Sequence, residues 1–243
     1  IFYFASIYTF EYILSAAGLF FLYWSKNKDT WFCFDANYCI NLFKKSFPFW
    51  IGWVVVFAFQ KIDLIILRQF SDDYHLGIYS AASQLILPII GIAPIISSSV
   101  APKYVFSEKD DKLVKKNIYF IMFLMFSLAL AICFFVQICS GFILHALFGQ
   151  KFSASIPLLK NMAWLSVLIF VDSSLSLYLL NKGMSIVIFF KWLTALLVAG
   201  VANILLVQKY HLYGVIYGNA IGYIYICLFD FAFFLRNNAT SNK

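Results

Sequence analysis

Long apolar runs constrain this chain most strongly, because seven of them follow one another with polar stretches between. A helix needs ~20 mostly apolar residues to cross the hydrocarbon core of a bilayer. Of the 243 residues, 63% are hydrophobic and 12% are charged, and a soluble domain usually carries about twice that charged fraction. The sequence therefore predicts an all-α, polytopic transmembrane helix bundle of about seven spans. The spans are predicted at 1–23, 48–70, 76–105, 117–139, 157–180, 184–207 and 212–235.

The odd number of spans indicates how the chain is organised. Because the sequence enters an apolar segment at once, we expect residues 1–24 to be the last helix of a truncated N-terminal half. Residues 25–47 are predicted to be a cytoplasmic linker, 48–235 a six-helix C-terminal transmembrane half, and 236–243 a cytoplasmic tail. Transporters are often built from two such halves with the binding site between them.

The basic residues predict the orientation of the spans. Twelve Lys and Arg residues fall on one side of the predicted membrane and four on the other. Cytoplasmic loops carry the excess of Lys and Arg. The connections after the first and third spans and the C-terminus are therefore predicted to be cytoplasmic. The net charge of +7 is assigned to this bias, and no nucleic-acid partner is expected.

The second predicted span contains more polar residues than any other. A charge inside the hydrocarbon core is costly and usually faces a cavity or a partner. At 100° per residue, Lys61 and Arg68 lie on one stripe, with Gln60 and Asp63 on the adjoining side. We interpret this face as lining a water-filled cavity in which Lys61 and Arg68 attract an anionic group.

Two tryptophans project onto the same half of this span. In the functional interpretation, Trp50 and Trp53 stack on a flat face of the ligand. In the alternative, they form an aromatic belt at the inner interface, and Arg68 snorkels to the outer interface. The sequence leaves both interpretations open.

Two further charges lie at similar depth in the fifth and sixth spans. Asp172 and Lys191 each lie about ten residues from the turn at 181–183, so the two side chains can pair. The pair is either a structural ion pair or contains a carboxylate that couples transport to protons or ions. Asp230 is also embedded, but it lies close enough to Arg236 for us to expect that it reaches the cytoplasmic surface.

Motifs for catalysis and for metal binding are absent from the sequence. No phosphate-cradling glycine loop, HExxH or GxSxG pattern occurs, the five cysteines form no CxxC pair, and the three histidines are not spaced as metal ligands. We therefore predict no enzyme activity, cofactor or metal. A structural membrane partner remains an alternative, although it would not need the embedded Lys61 and Asp172.

Three sets of segments carry recognisable motifs: 61–67 with 76–82, 147–152 with 155–159, and 203–206 with 210 and 213–215. Through them the chain resembles Wzx-type oligosaccharide flippases, of the polysaccharide biosynthesis family in the MATE-like superfamily. The resemblance covers the C-terminal portion of that family. The chain departs from the family pattern at 207–209, where Val-Gln-Lys replaces the usual proline turn.

The resemblance implies a fold and a function. The fold would be the C-terminal half of a MATE-like transporter in the bacterial inner membrane. The whole protein would move undecaprenyl-pyrophosphate-linked oligosaccharide across that membrane by alternating access, in O-antigen or capsule biosynthesis. Lys61 and Arg68 would hold the pyrophosphate, and Asp63 or Asp172 would couple the cycle to an ion gradient.

Partners and rival functions follow from the same resemblance. The expected partners are lipid-linked oligosaccharide and membrane lipid, with other polysaccharide-assembly proteins as further candidates. One rival is a multidrug or cation antiporter half, whose site should be dominated by carboxylates and aromatic rings. Another is a membrane-embedded polymerase or ligase of the same pathway, which should carry a large outer loop with catalytic Arg or His.

Overall fold

The fold is helical throughout the part of the chain that the structure describes. A computed structural model describes residues 2–26 and 35–236, and no strand occurs within them. Residues 237–243 of the predicted tail and residues 27–34 of the predicted linker lie outside the described residues. The helices are α1 (Phe2–Lys26), α2 (Ala36–Phe70), α3 (Asp73–Ala101), α4 (Asp111–Phe148), α5 (Ser155–Ala163), α6 (Leu165–Asn181), α7 (Ser185–Tyr210) and α8 (Leu212–Arg236), with a π-helix at Pro102–Phe106 and a 3₁₀-helix at Gln150–Phe152.

Six helical segments among the described residues are long and apolar enough to cross a membrane. They match the second to seventh predicted spans, and the prediction of an all-α polytopic bundle is confirmed. The first predicted span overlaps α1, which is helical but is not one of the six. The segments are Trp50–Phe70, Asp73–Phe106, Asp111–Phe148, Ser155–Asn181, Ser185–Tyr210 and Leu212–Arg236.

Two helices extend beyond the apolar runs that predicted them. Residues 36–47, predicted as linker, are the first turns of α2, and the Asp35 carboxylate accepts a backbone hydrogen bond from the first turn at 2.9 Å. α4 begins at Asp111, several residues before its apolar run, and Asp110 caps it by accepting from the Lys112 N–H at 2.9 Å. Aspartate is favoured at this position because its side chain satisfies a free backbone donor. Hydropathy alone misses such polar helical ends.

The chain divides into two compact units, one ending at Pro48 and the other beginning at Phe49. Within the second unit, buried apolar side chains form two larger clusters and a smaller one around Phe59, Ala195 and Ala199. The opposite faces of the helices remain exposed and apolar, as at Ile138 (82% exposed) and Phe142 (80%). An exposed apolar surface of this extent is unfavourable in water but suits contact with lipid.

Helices α7 and α8 pack at unusually close range. The residues Gly214, Gly218 and Gly222 form a stripe along one face of α8. A Cβ atom at Gly218 would collide with the Asn203 side chain, and one at Gly222 would lie 2.8 Å from the Ala199 Cβ. Small residues let helix backbones approach each other in this way inside membranes. The stripe therefore fixes α8 against α7.

Candidate functional site

Asp63, in the predicted span with the most polar residues, faces the interior of the second unit. Its side chain is buried, at 6% exposure. The Tyr79 hydroxyl of α3 donates to Asp63 Oδ2 at 2.6 Å, and the Asn219 amide of α8 donates to the same oxygen at 3.1 Å. Asn203 of α7 donates to Asn219 Oδ1 at 3.1 Å. This Asp63 site therefore joins four helices through side-chain hydrogen bonds.

A small cavity opens beside the Asp63 site. Its volume is about 40 Å³, and one water molecule needs ~10–15 Å³ of such space. Its wall is mostly apolar, and its polar residues are Gln60, Asp63, Tyr79, Ser83, Asn219 and Tyr223. The cavity can therefore hold a few water molecules, or one small polar group, against a carboxylate.

A second buried polar group lies nearer the opposite end of the bundle, and we call it the Lys191 cluster: Asp172 and Ser176 on α6, Lys191 on α7, and Asp230 on α8. Lys191 is fully buried. Its Nζ lies 3.0 Å from Asp172 Oδ1, 3.0 Å from Asp230 Oδ2 and 2.7 Å from Ser176 Oγ. Three helices therefore meet at one ammonium group.

Tyr223 lies between the two sites along α8. It forms part of the cavity wall beside Asp63, and it lies within electrostatic range of both Asp63 and Asp172. Its ring packs edge-on against Phe59, with ring centroids 5.1 Å apart. The phenol therefore lies between the Asp63 site and the Lys191 cluster along α8.

A third set of charges joins helix ends at the edge of the bundle. The Lys182 ammonium, in the turn between α6 and α7, lies 2.7 Å from Asp111 Oδ1 at the start of α4. Lys115 lies 3.3 Å from Asp111 Oδ2 and 5.3 Å from the centroid of the Tyr178 ring. The hydrogen bond to Asp111 raises the pKa of Lys182 above its usual value. These contacts fasten the α6–α7 turn to α4.

The structure separates residues that the sequence analysis placed on one polar face of α2. Asp63 points into the bundle, and Gln60, although exposed, borders the cavity beside it. Arg68 is exposed and Lys61 is half-buried on the other side. Trp50 and Trp53 share that outer side, with 62% and 72% exposure. The difference arises because a two-residue step turns about 200° around a helix, so Lys61 and Asp63 point in nearly opposite directions.

One expectation about an embedded charge is wrong. Asp230 does not reach a surface: it is 1% exposed and bonded to Lys191. Its nearness to Arg236 in sequence was misleading, because Asp230 faces α7 and α6 instead. Asn203 and Asn219 were also missed, although an amide within an apolar run is itself a signal of a polar contact between membrane helices.

No arrangement of three or more His, Cys, Asp or Glu side chains suited to a metal ion occurs within residues 2–26 and 35–236. The charged groups in the bundle are instead held by one another and by hydroxyl and amide groups. What the second unit contains is an apolar helical bundle with two buried polar sites, one of them beside a cavity. These features define a multi-pass membrane protein.

Comparison with known proteins gives the family resemblance. Residues 1–105 match the model of a family described as polysaccharide biosynthesis protein. The chain is also similar to the teichuronic acid biosynthesis protein TuaB of Bacillus subtilis, with 25% identity over 211 residues that cover 83% of this chain and 42% of TuaB. No solved structure gives a significant match. The resemblance to the polysaccharide biosynthesis family is confirmed, and the chain spans less than half the length of this relative.

Proposed function

We propose that this chain is the C-terminal half of a flippase that moves undecaprenyl-pyrophosphate-linked oligosaccharide across the bacterial inner membrane. In this proposal the six-helix unit is one of two halves that rock about a central cavity. The lipid tail remains in the bilayer, and the protein is a transporter rather than an enzyme. The family match and the similarity to TuaB support a role in polysaccharide biosynthesis.

The polar stripe of α2, formed by Lys61 and Arg68, supports the proposed substrate. Lys61 and Arg68 lie on one line of a span whose other exposed positions are mostly apolar or aromatic. Lipid would make a cation near the middle of a span costly, so this stripe is best placed facing water or substrate. We assign the pyrophosphate to Lys61 and Arg68, and the sugar to Gln60, Trp50 and Trp53, because cations attract phosphate and tryptophan rings stack on flat sugar faces.

Coupling to an ion gradient is the second part of the proposal. Asp63 is a buried carboxylate beside a cavity, and Asp172 belongs to a buried cluster with more carboxylates than cations. Either carboxylate can change its charge during the transport cycle. The excess of Lys and Arg in alternate connections supports a cytoplasmic C-terminus.

The substrate assignment is tested by reversing both charges in the full-length protein. Lys61→Glu/Arg68→Glu should abolish surface polysaccharide in a deletion strain and leave lipid-linked oligosaccharide on the cytoplasmic leaflet. The matched control is Lys151→Glu/Lys209→Glu, which reverses two exposed charges predicted on the same side of the membrane. This control should retain surface polysaccharide, because neither residue belongs to the α2 stripe.

Two results would contradict the proposal. Unchanged surface polysaccharide in the Lys61→Glu/Arg68→Glu strain would contradict the assignment of an anion site to these two residues. An equal loss of polysaccharide in the control strain would show that charge reversal acts through membrane insertion instead of substrate binding. Export of cationic drugs, with no change in lipid-linked sugar, would favour the antiporter alternative instead.

A further inference from the structure

The Lys191 cluster contains an unbalanced charge. Lys191 contributes one positive charge, and Asp172 and Asp230 each contribute a negative charge when ionised. Lys191 is 0% exposed, Asp230 1% and Asp172 5%, so water cannot screen the excess. An uncompensated buried charge is strongly destabilising. A net charge of −1 at this position therefore needs a compensating cation or proton.

The hydrogen bonds show which atom lacks a donor. An ammonium group has three hydrogens, and those of Lys191 are directed at Asp172, Asp230 and Ser176. The single Ser176 hydroxyl hydrogen can reach only one of the two carboxylates at a time. Asp230 Oδ1 is buried, and no described residue donates a hydrogen bond to it. A carboxylate oxygen in that state is the natural position for a hydrogen of its own.

We propose that the Lys191 cluster binds one proton, shared by the carboxyl groups of Asp230 and Asp172. The two carboxylates are adjacent, because both lie 3.0 Å from the Lys191 ammonium and both lie within 3.1 Å of the Ser176 hydroxyl. Adjacent carboxyls avoid like-charge repulsion by sharing a proton. The proton adds to Asp230 Oδ1 by simple acid–base transfer from water, with no other bond formed or broken. The cluster is then neutral.

A metal ion does not fit this position. The Lys191 ammonium already lies between the two carboxylates and uses its hydrogens on their oxygens, so a second cation would meet a like charge. Among the described residues, the other titratable groups in electrostatic contact with the cluster are Cys227 and Tyr223 of α8. Both are neutral hydrogen-bonding groups in their protonated forms, and neither supplies the missing positive charge.

Tyr223 lies along α8 between the cluster and the cavity beside Asp63. It contributes to the cavity wall and lies within electrostatic range of Asp172. Use of the proton to drive transport rests on the proposed function, but its presence in the cluster does not.

The test is infrared spectroscopy of the full chain in lipid vesicles at neutral pH, because a protonated carboxylic acid gives a carbonyl band distinct from that of a carboxylate. The wild type should show a band that disappears in Asp230→Asn and equally in Asp172→Asn. Either change leaves one carboxylate and one ammonium, which balance without a proton. Lys191→Met should instead increase the band about twofold, because two buried carboxyls then lack any counter-charge.

Further measurements allow the infrared result to be interpreted even if one of these variants fails to fold. Asp63→Asn should leave the cluster band in place, which separates the two buried sites. A wild type without any buried carboxylic-acid band would overturn the proposal without reference to a variant, as would a band that persists in both Asp172→Asn and Asp230→Asn. The readout requires no transport, so its failure is distinct from failure of the proposed flippase activity.

Discussion

Asn219 donates a hydrogen bond of 3.1 Å to Asp63 from a position 156 residues away in the chain. The same Asn219 accepts from Asn203 on the neighbouring helix α7, also at 3.1 Å. One amide therefore uses both of its polar atoms to hold a buried carboxylate of α2 against α7 and α8.

Replacing Asn219 with leucine should destabilise the protein. The change removes a donor from buried Asp63 and leaves the Asn203 amide without its acceptor, and an unsatisfied buried polar group costs about 1–3 kcal/mol. Thermal unfolding of the purified protein in detergent would measure the loss. Asn161→Leu is the matched control, because the Asn161 side chain donates to Pro157 O within its own helix and is partly exposed. Equal effects of the two changes would remove the special role of Asn219.

Replacing Gly218 with alanine should loosen the contact between α7 and α8. The added methyl group would collide with Asn203, and overpacking of this kind costs about 1–3 kcal/mol. Gly91→Ala on α3 is the control, since nothing lies within 4 Å of its Cβ position. That control should be neutral or stabilising, because alanine favours a helix over glycine by roughly 0.5–1 kcal/mol. A stable Gly218→Ala protein would contradict the close packing described for this stripe.

Replacing Lys182 with methionine should weaken the fastening of the α6–α7 turn by about 0.2–1 kcal/mol, the range for partly exposed ion pairs. The pKa of Lys182 is raised chiefly by its hydrogen bond to Asp111. The stabilisation is therefore present at neutral pH and is lost as the pH rises from the ordinary lysine value of 10.5 through the higher value of the folded protein. The loss of stability between neutral and strongly alkaline pH, measured from unfolding curves, should be larger for the wild type than for Lys182→Met. Lys112→Met, at an exposed position of α4, should keep the wild-type pH response.

Replacing Asp72 with alanine should fray the start of α3, because Asp72 accepts the His75 backbone N–H at 2.9 Å. That hydrogen bond is the main cause that lowers the pKa of Asp72 below its ordinary value of 3.8. The cap therefore stabilises the helix above this value and is lost as the pH falls through the lower value of the folded protein. Asp72→Asn should retain the cap, since asparagine is also a good capping residue, and should abolish this part of the acid response. Hydrogen exchange of the first turn of α3 would measure both effects.

The membrane spans could be predicted from sequence because hydropathy and length are local properties. The helical angle also placed Lys61 and Arg68 on one line, as the structure has them. The same angle separates Asp63 from Lys61 by about 200°, but it could not tell which of the two sides packs into the bundle. The depth of Asp172 and Lys191 could be counted from a single turn, whereas Asp230 lies near Arg236 in sequence and its contact with Lys191 depends on how α8 is rotated against α7. Contacts between side chains of distant spans depend on how the helices pack, and the sequence of a single span does not determine that packing.

The glycine stripe has a mechanical consequence for the two buried sites. Asn219 and Asp230 are eleven residues apart on α8, which is about 16 Å along the helix. Gly222, the last glycine of the stripe, lies between them, and a Cβ atom there would lie 2.8 Å from the Ala199 Cβ of α7. The same two helices carry partners of both buried sites, so any displacement of α8 along α7 would change the surroundings of Asp63 and of Lys191 together.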